Sequence, residues 1–171
     1  MAGAAALAAT LLLPSAAAAD VVDARLDGEF GMKGVITRAD RVPHEHKGQK
    51  LGRTWLFTSK CDSGPCDSVV LHRHRTHHKV DRMVLDRVRT GEYFGKGKFF
   101  FPIRCAGIVH RHGGEARVEI DVKITAADAD GNATDVRAKY TNPRRINHTQ
   151  CGSDRDLGRD GARYTGHLRN R

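Results

Sequence analysis

The chain has 171 residues, including 29 lysine and arginine residues against 20 aspartates and glutamates, so its formal net charge is +9 at neutral pH. This length suits one domain with its own hydrophobic core and is too short for two domains of ordinary size. The positive charge favours anionic partners such as a cell-envelope polymer, but arginine is spread along the whole chain, which does not indicate specific nucleic-acid recognition.

Residues 1–19 predict a cleaved signal peptide. They carry no charged side chain and combine a short apolar run at 11–13 with the small residues at 16–19 that a signal peptidase requires. The apolar run is too short to span a bilayer, and no other segment predicts a transmembrane helix. We therefore expect a secreted protein that begins at Asp20, with an alanine-rich tail as the alternative interpretation.

Alternation of apolar and polar residues predicts the first two strands, over 30–38 and 51–59. On a strand, residues two positions apart share a face. This periodicity puts Leu51, Trp55 and Phe57 on one face of the second strand. We expect Trp55, the only tryptophan, and Phe57 to anchor the core.

Four cysteines predict a disulfide framework. A Gly-Pro turn between Cys61 and Cys66 can bring their sulfurs together, which leaves Cys105 to pair with Cys151, although four cysteines allow three pairings in principle. A metal site is the alternative. Structural zinc sites usually repeat a closer cysteine pair, so disulfides are favoured in an exported chain.

A histidine cluster lies between a third strand that begins at residue 69 and a fourth over 80–88. Its members are His72, His74, His77 and His78. Two imidazoles two positions apart on a strand can face one ion, so the cluster suits Zn²⁺ or Cu²⁺. The arginines and lysine between the histidines oppose a cation. A solvated hairpin end that needs no cofactor is therefore the favoured interpretation.

The second half of the chain predicts three further strands. The first covers 93–101, where three consecutive phenylalanines suggest burial on both faces and Pro102 limits the strand. Strict alternation over 116–124 predicts a half-buried strand, and an Asp-Gly turn joins it to a partner over 134–140.

These elements predict an all-β fold, because no long stretch has helical periodicity. Seven or eight strands form an antiparallel meander, for which we favour an up-and-down, calycin-like barrel over a β-sandwich. We expect a single β domain over 20–151, a disordered basic tail over 152–171, and a monomer.

Several motifs together resemble those of small secreted proteins and lipoproteins from high-GC Gram-positive bacteria, a group without an assigned activity. The similarity covers roughly 30–151 and implies an exported, disulfide-bonded β domain without a transferable catalytic residue. The chain lacks a cysteine at the predicted cleavage point, so the resemblance does not imply a lipid anchor. The matching motifs are Arg53-Thr-Trp55-Leu-Phe57-Thr, Cys61-x-Ser-Gly-Pro-Cys66, Val69-Val-Leu71, Gly91-x-Tyr93, Cys105, Thr134 to Tyr140 and Cys151.

The sequence contains no recognisable catalytic motif: it has no Gly-x-Ser-x-Gly elbow, phosphate-binding glycine loop or His-Glu-x-x-His. A hydrolase that uses an aspartate and a histidine remains an open alternative. We expect a non-catalytic exported domain that binds either a small apolar ligand in a barrel mouth or an anionic envelope component. The competing hypothesis is a transition-metal-binding protein that uses the histidines.

Overall fold

The computed structural model describes residues 21–74 and 80–169, and these are almost entirely antiparallel strands. A 3-10 helix at Val21–Asp23 comes first. The strands that follow are β1 (Gly28–Asp40), β2 (Lys50–Ser59), β3 (Ser68–His74), β4 (Val80–Arg89), β5 (Glu92–Cys105), β6 (Ile108–Ala127), β7 (Ala133–Asn147) and β8 (Arg159–Leu168).

The eight strands close into an up-and-down barrel in which each strand pairs with its neighbours in sequence. β1 completes the cylinder by pairing with both β2 and β8, so that Gly34 lies opposite Tyr164. Closure gives every strand a neighbour on both sides, which favours a barrel over an open sheet, although the β4–β5 ladder is short and joins only 86–89 to 92–94. The predicted antiparallel meander and the preference for a barrel over a sandwich are confirmed.

Alternate residues of each strand fill the interior. The predicted anchors Trp55 and Phe57 are fully buried, and their rings pack edge to face with centroids 6.2 Å apart. The strict alternation of β6 is also confirmed, since every second residue from Ala116 to Ile124 is buried. These contacts form one continuous hydrophobic core.

The C-terminal region departs from its predicted disorder. Residues 159–168 form β8, whose Ala162, Tyr164 and Gly166 face inward, and the single domain therefore extends well beyond residue 151. A strand with many Gly, Asp and Arg residues has little apolar area of its own. It is ordered here because it pairs along both edges, with β1 and β7.

The end of β5 also differs from its prediction. The strand continues through Pro102 to Cys105, with a shift of register between Phe101 and Ile103 that accommodates a residue without an N–H. Phe100 is 44% exposed, so the phenylalanine run is not buried on both faces.

Two disulfides form with the predicted pairing, one near each end of the barrel. Cys61–Cys66 lies in the connection between β2 and β3, and Cys105–Cys151 joins the end of β5 to the connection between β7 and β8. In the chain-entropy model the short loop contributes about 2 kcal/mol and the long loop about 4 kcal/mol. The second link therefore contributes more to global stability.

The N-terminal segment lies across the barrel end that holds the Cys61–Cys66 link. Arg25 exchanges backbone hydrogen bonds with the β6–β7 turn, and the Asp27 carboxylate accepts one from the backbone N–H of Ser59. Between these contacts Leu26 is completely buried. We call this end of the barrel the closed end.

None of the described helical residues forms a span long and apolar enough to cross a bilayer.

We expect removal of residues 159–171 to abolish the cooperative fold, because β1 and β7 would each lose a paired strand and the barrel would open. Removal of 170–171 alone is the matched control and should leave the thermal unfolding transition in place. Circular dichroism and proton–nitrogen NMR spectra distinguish the outcomes. A cooperative, dispersed protein after the longer truncation would show that β8 is not required for closure.

Candidate functional site

The barrel end opposite the closed end, which we call the mouth, contains a polar cavity. The cavity has a volume of about 310 Å³. Aromatic rings form much of its wall, together with three arginines and two carboxylates. These side chains are Phe99, Phe101, Tyr140, Tyr164, Arg53, Arg73, Arg145, Glu45 and Asp160.

Arg73 is a charged residue built into the barrel interior. It occupies the inward-facing register of β3 after Val69 and Leu71, and it is only 8% exposed. Its Nη2 donates a 2.8 Å hydrogen bond to Oδ2 of Asp81, its direct partner on β4. An ion pair removed from water in this way is held by its mutual attraction and hydrogen bonding, because either charge alone would be strongly destabilising.

Two aromatic rings hold the guanidinium of Arg73 in place. Its Cζ lies 4.8 Å from the ring centroid of Phe99 and 4.7 Å from that of Tyr140. Burial acts to lower the pKa of Arg73, but Tyr140 and Asp81 outweigh this effect and raise it above its usual value. Arg73 therefore stays charged at every physiological pH.

A second buried network is centred on Asp160 at the start of β8. One of its oxygens, Oδ1, accepts hydrogen bonds from Asn142 at 2.8 Å and from both Nε and Nη2 of Arg145, at 3.0 and 2.8 Å. Arg145 also reaches Glu45, with Nη2 3.5 Å from Oε1. These contacts connect β7, β8 and the loop between β1 and β2 around the mouth.

The ionisation of the cavity walls follows from their burial. Burial raises the pKa of both Tyr140 and Tyr164, so both phenols are neutral at physiological pH. Burial, followed by the nearby charge of Asp160, also raises the pKa of Glu45. Glu45 is thus the acid of this cavity whose protonation is most favoured by its surroundings.

Three buried polar atoms in and near the cavity have no hydrogen-bond partner within the described structure. They are Nε of Arg73, Nε1 of Trp55 and Oδ1 of Asn142. Buried donors and acceptors in proteins are nearly always satisfied, and each one left unpaired is destabilising. Of these three residues, Arg73 is part of the cavity wall.

The structure describes two members of the predicted histidine cluster. His72 is half-buried and His74 exposed, and both point outward from β3, while His77 and His78 lie outside the described residues. The cross-strand partner of His72 is Arg82, a cation that opposes metal binding. The metal hypothesis for this cluster stays a prediction.

One other set of ligand types comes together in the part of the chain that the structure describes. Cys105, His110 and Cys151 meet near the mouth, but the two sulfurs are joined in a disulfide. A disulfide sulfur lacks the thiolate charge that binds a metal. This cluster is therefore a covalent link with a neighbouring imidazole and not a metal centre.

Sequence reasoning missed the charged cavity, although one signal for it was present. Arg73 and Asp81 keep the inward register of the apolar residues Leu71 and Met83 on their strands. A charge at an inward position on each of two paired strands is the pattern of a buried ion pair. Glu45 and Asp160 had no such signal, because their roles depend on contacts between distant parts of the chain.

No family model, curated protein or solved structure matches this chain.

The raised pKa of Glu45 has a measurable consequence for stability. An acid with a raised folded-state pKa stabilises the folded protein most when protonated, and this contribution is lost as pH rises from its ordinary value of 4.5 through the folded value. We therefore expect the free energy of unfolding of the wild type, relative to Glu45→Gln, to decline with rising pH in urea denaturation series.

Glu92→Gln is the matched control with the opposite sign. The hydrogen bond from Lys123 lowers the pKa of Glu92, so the wild type should gain stability relative to this variant as pH rises from the lowered folded-state pKa to the ordinary value of 4.5. Equal pH dependence for the two variants would contradict the described environment of Glu45.

Proposed function

We propose that this protein is an exported, non-catalytic binding domain that holds a small polar ligand in the cavity at its mouth. The observation that carries the proposal is the unpartnered Nε of buried Arg73 beside a cavity of about 310 Å³. Ligand sites in proteins are typically concave, with volumes from about 300 to 1,000 Å³ and a few fixed polar groups. The volume of the mouth cavity lies at the lower end of this range.

The packing favours a polar ligand over the small apolar ligand that the sequence suggested. Large side chains fill the half of the barrel toward the closed end, where Phe30 and Phe57 pack edge to face with centroids 5.4 Å apart. The mouth cavity lies among charged groups. An apolar ligand there would bury these groups without offering them hydrogen bonds.

The cavity chemistry supports binding without catalysis. Among the described residues its wall contains no serine, cysteine or histidine, and the pKa values of Arg73 and Tyr140 are raised away from neutrality. A general acid or base works best with a pKa near the working pH. The two disulfides support export, because such links persist in oxidising compartments.

The test is a fragment screen against the oxidised protein, with neutral, acidic and basic members detected by proton–nitrogen chemical-shift changes. We expect fragments to shift residues around the mouth, such as Tyr140 and Gly161, and not those of the closed end. Ala162→Leu should abolish the shifts by filling the cavity, and Ala116→Leu is a second cavity-filling variant if the first disturbs folding.

Ala129→Leu is the control, because Ala129 is exposed in the turn between β6 and β7. It should leave the shifts unchanged. An absence of shifts at the mouth, or shifts that survive both cavity-filling variants, would contradict the proposed site.

A second candidate function, binding of an anionic envelope polymer, is favoured by the outer face of the barrel. Six exposed cations lie in adjacent register on β1, β2, β6, β7 and β8, and Asp121 and Glu92 are the acids among them. Among described residues only Lys123 of the six forms an ion pair, with Glu92 at 2.8 Å. We call these six the outer basic band: Lys33, Lys50, Lys123, Arg137, Lys139 and Arg163.

Binding to a glycerol-phosphate teichoic acid tests this candidate. We expect affinity that falls with added salt, since exposed charges are screened, and weaker binding by Lys139→Gln/Arg163→Gln. The control Lys96→Gln/Lys98→Gln removes the same charge from β5, where Glu119 and Glu115 already pair with these lysines. Equal losses in both double variants would show that net charge, and not the outer basic band, determines binding.

A further inference from the structure

The donors and acceptors of the mouth cavity are unequally occupied. Asp160 Oδ1 already accepts three hydrogen bonds, and Arg145 also engages Glu45. The Nε–H of Arg73, in contrast, is buried without a partner within the described residues. The arginine N–H donors of the cavity therefore lack hydrogen-bond partners to a greater extent than its carboxylate acceptors do.

Arg53 adds a second source of donors to the same wall. It lies on β2, and its Nη1 donates to the adjacent backbone carbonyl of Gly52 at 2.8 Å. No carboxylate of the described residues lies within ion-pair distance of its guanidinium. A guanidinium presents five N–H groups, so most of the hydrogen-bonding capacity of Arg53 is available.

The charges of the cavity oppose an anion that carries two charges. Three guanidiniums, those of Arg53, Arg73 and Arg145, are matched by the carboxylates of Asp81, Asp160 and Glu45. A dianion such as phosphate would bring two charges into a region without a net positive charge. A carboxylate brings one charge, and its two oxygens match the fork of a guanidinium.

The remaining wall suits an apolar body attached to that carboxylate. Phe99 and Phe101 line the cavity together with Leu51 and Ile36. Burial of apolar ligand area against these side chains adds affinity that does not depend on charge.

We propose that the mouth cavity binds small monocarboxylates with an apolar body, and that Arg53 and Arg73 hold the carboxylate. This inference depends on the proposed ligand-binding function and names its ligand class. The N–H groups of Arg53 donate to the carboxylate oxygens and the charge of Arg73 in the same wall attracts them, while the apolar body lies against Phe99 and Phe101.

Matched probes test the proposal. Benzoate, phenylacetate and hexanoate are each compared with their primary amides and with the corresponding amines, by ligand-observed NMR titration of the oxidised protein. We expect each carboxylate to bind at least about tenfold more tightly than its amide, because a hydrogen bond to a charged group contributes more than a neutral one.

The variant Arg53→Gln distinguishes the contribution of the carboxylate to binding affinity from that of the apolar body of the probe. Arg53 is partly exposed, so its replacement should leave the fold intact while weakening carboxylate binding by about tenfold and leaving amide binding unchanged. Arg137→Gln, in the outer basic band, is the matched loss of charge and should have no effect. Arg53→Lys should restore only part of the affinity, since it keeps the charge without the planar fork.

Several results would overturn the carboxylate assignment: amides or amines that bind as tightly as carboxylates, carboxylate affinity unchanged in Arg53→Gln, or no binding by any member of the panel. Amides that bind as tightly as the carboxylates, with binding that Ala162→Leu abolishes, would overturn the carboxylate assignment while supporting the proposed function. Failure of both this panel and the fragment screen would overturn both.

Discussion

The placement of Arg73 inside the barrel is the constraint on which the mouth depends. A guanidinium in this position is tolerated because Asp81 lies directly opposite it on β4, at 2.8 Å, and because Phe99 and Tyr140 contact its charged plane. Without Asp81 the charge would be buried and unpaired, which costs several kcal/mol in typical proteins. The Arg73–Asp81 ion pair therefore favours the observed register between β3 and β4, in addition to side-chain packing.

This constraint divides the barrel into two unlike halves. Toward the closed end, aromatic and aliphatic side chains fill the interior, and Leu26 is buried beneath the N-terminal segment. Toward the mouth, paired charges replace the apolar packing and leave a cavity. Cys105–Cys151 ties the end of β5 to the β7–β8 connection at this same end, so a covalent link restrains the loops that surround the opening.

The parts of the fold that sequence predicts are those set by local periodicity. Alternation in β6, the burial of Trp55 and Phe57, and the Cys61–Cys66 link follow from the spacing of neighbouring residues, and Cys105–Cys151 is the pair that this link leaves. β8 was missed because most of its inward positions are small, as at Ala162, so its stability comes from pairing with two other strands. Such pairing joins positions far apart in sequence, and no local pattern records it.

The cavity was harder to predict than the fold for the same reason. Its charged groups come from β2, β3, β7, β8 and the β1–β2 loop, and their functional meaning lies in distances between them. The sequence instead indicated a site at the histidines, because these residues lie close together along the chain. Of these, the described members His72 and His74 point away from the interior.

A double-mutant cycle between Arg73 and Asp81 tests the central claim most directly. We expect Arg73→Met and Asp81→Leu each to lower the free energy of unfolding by about 3–5 kcal/mol, because each removes one member of a buried ion pair. The double variant should lose much less than the sum. Single-variant losses that add to within about 0.5 kcal/mol would show that the two residues do not interact, and would contradict the account.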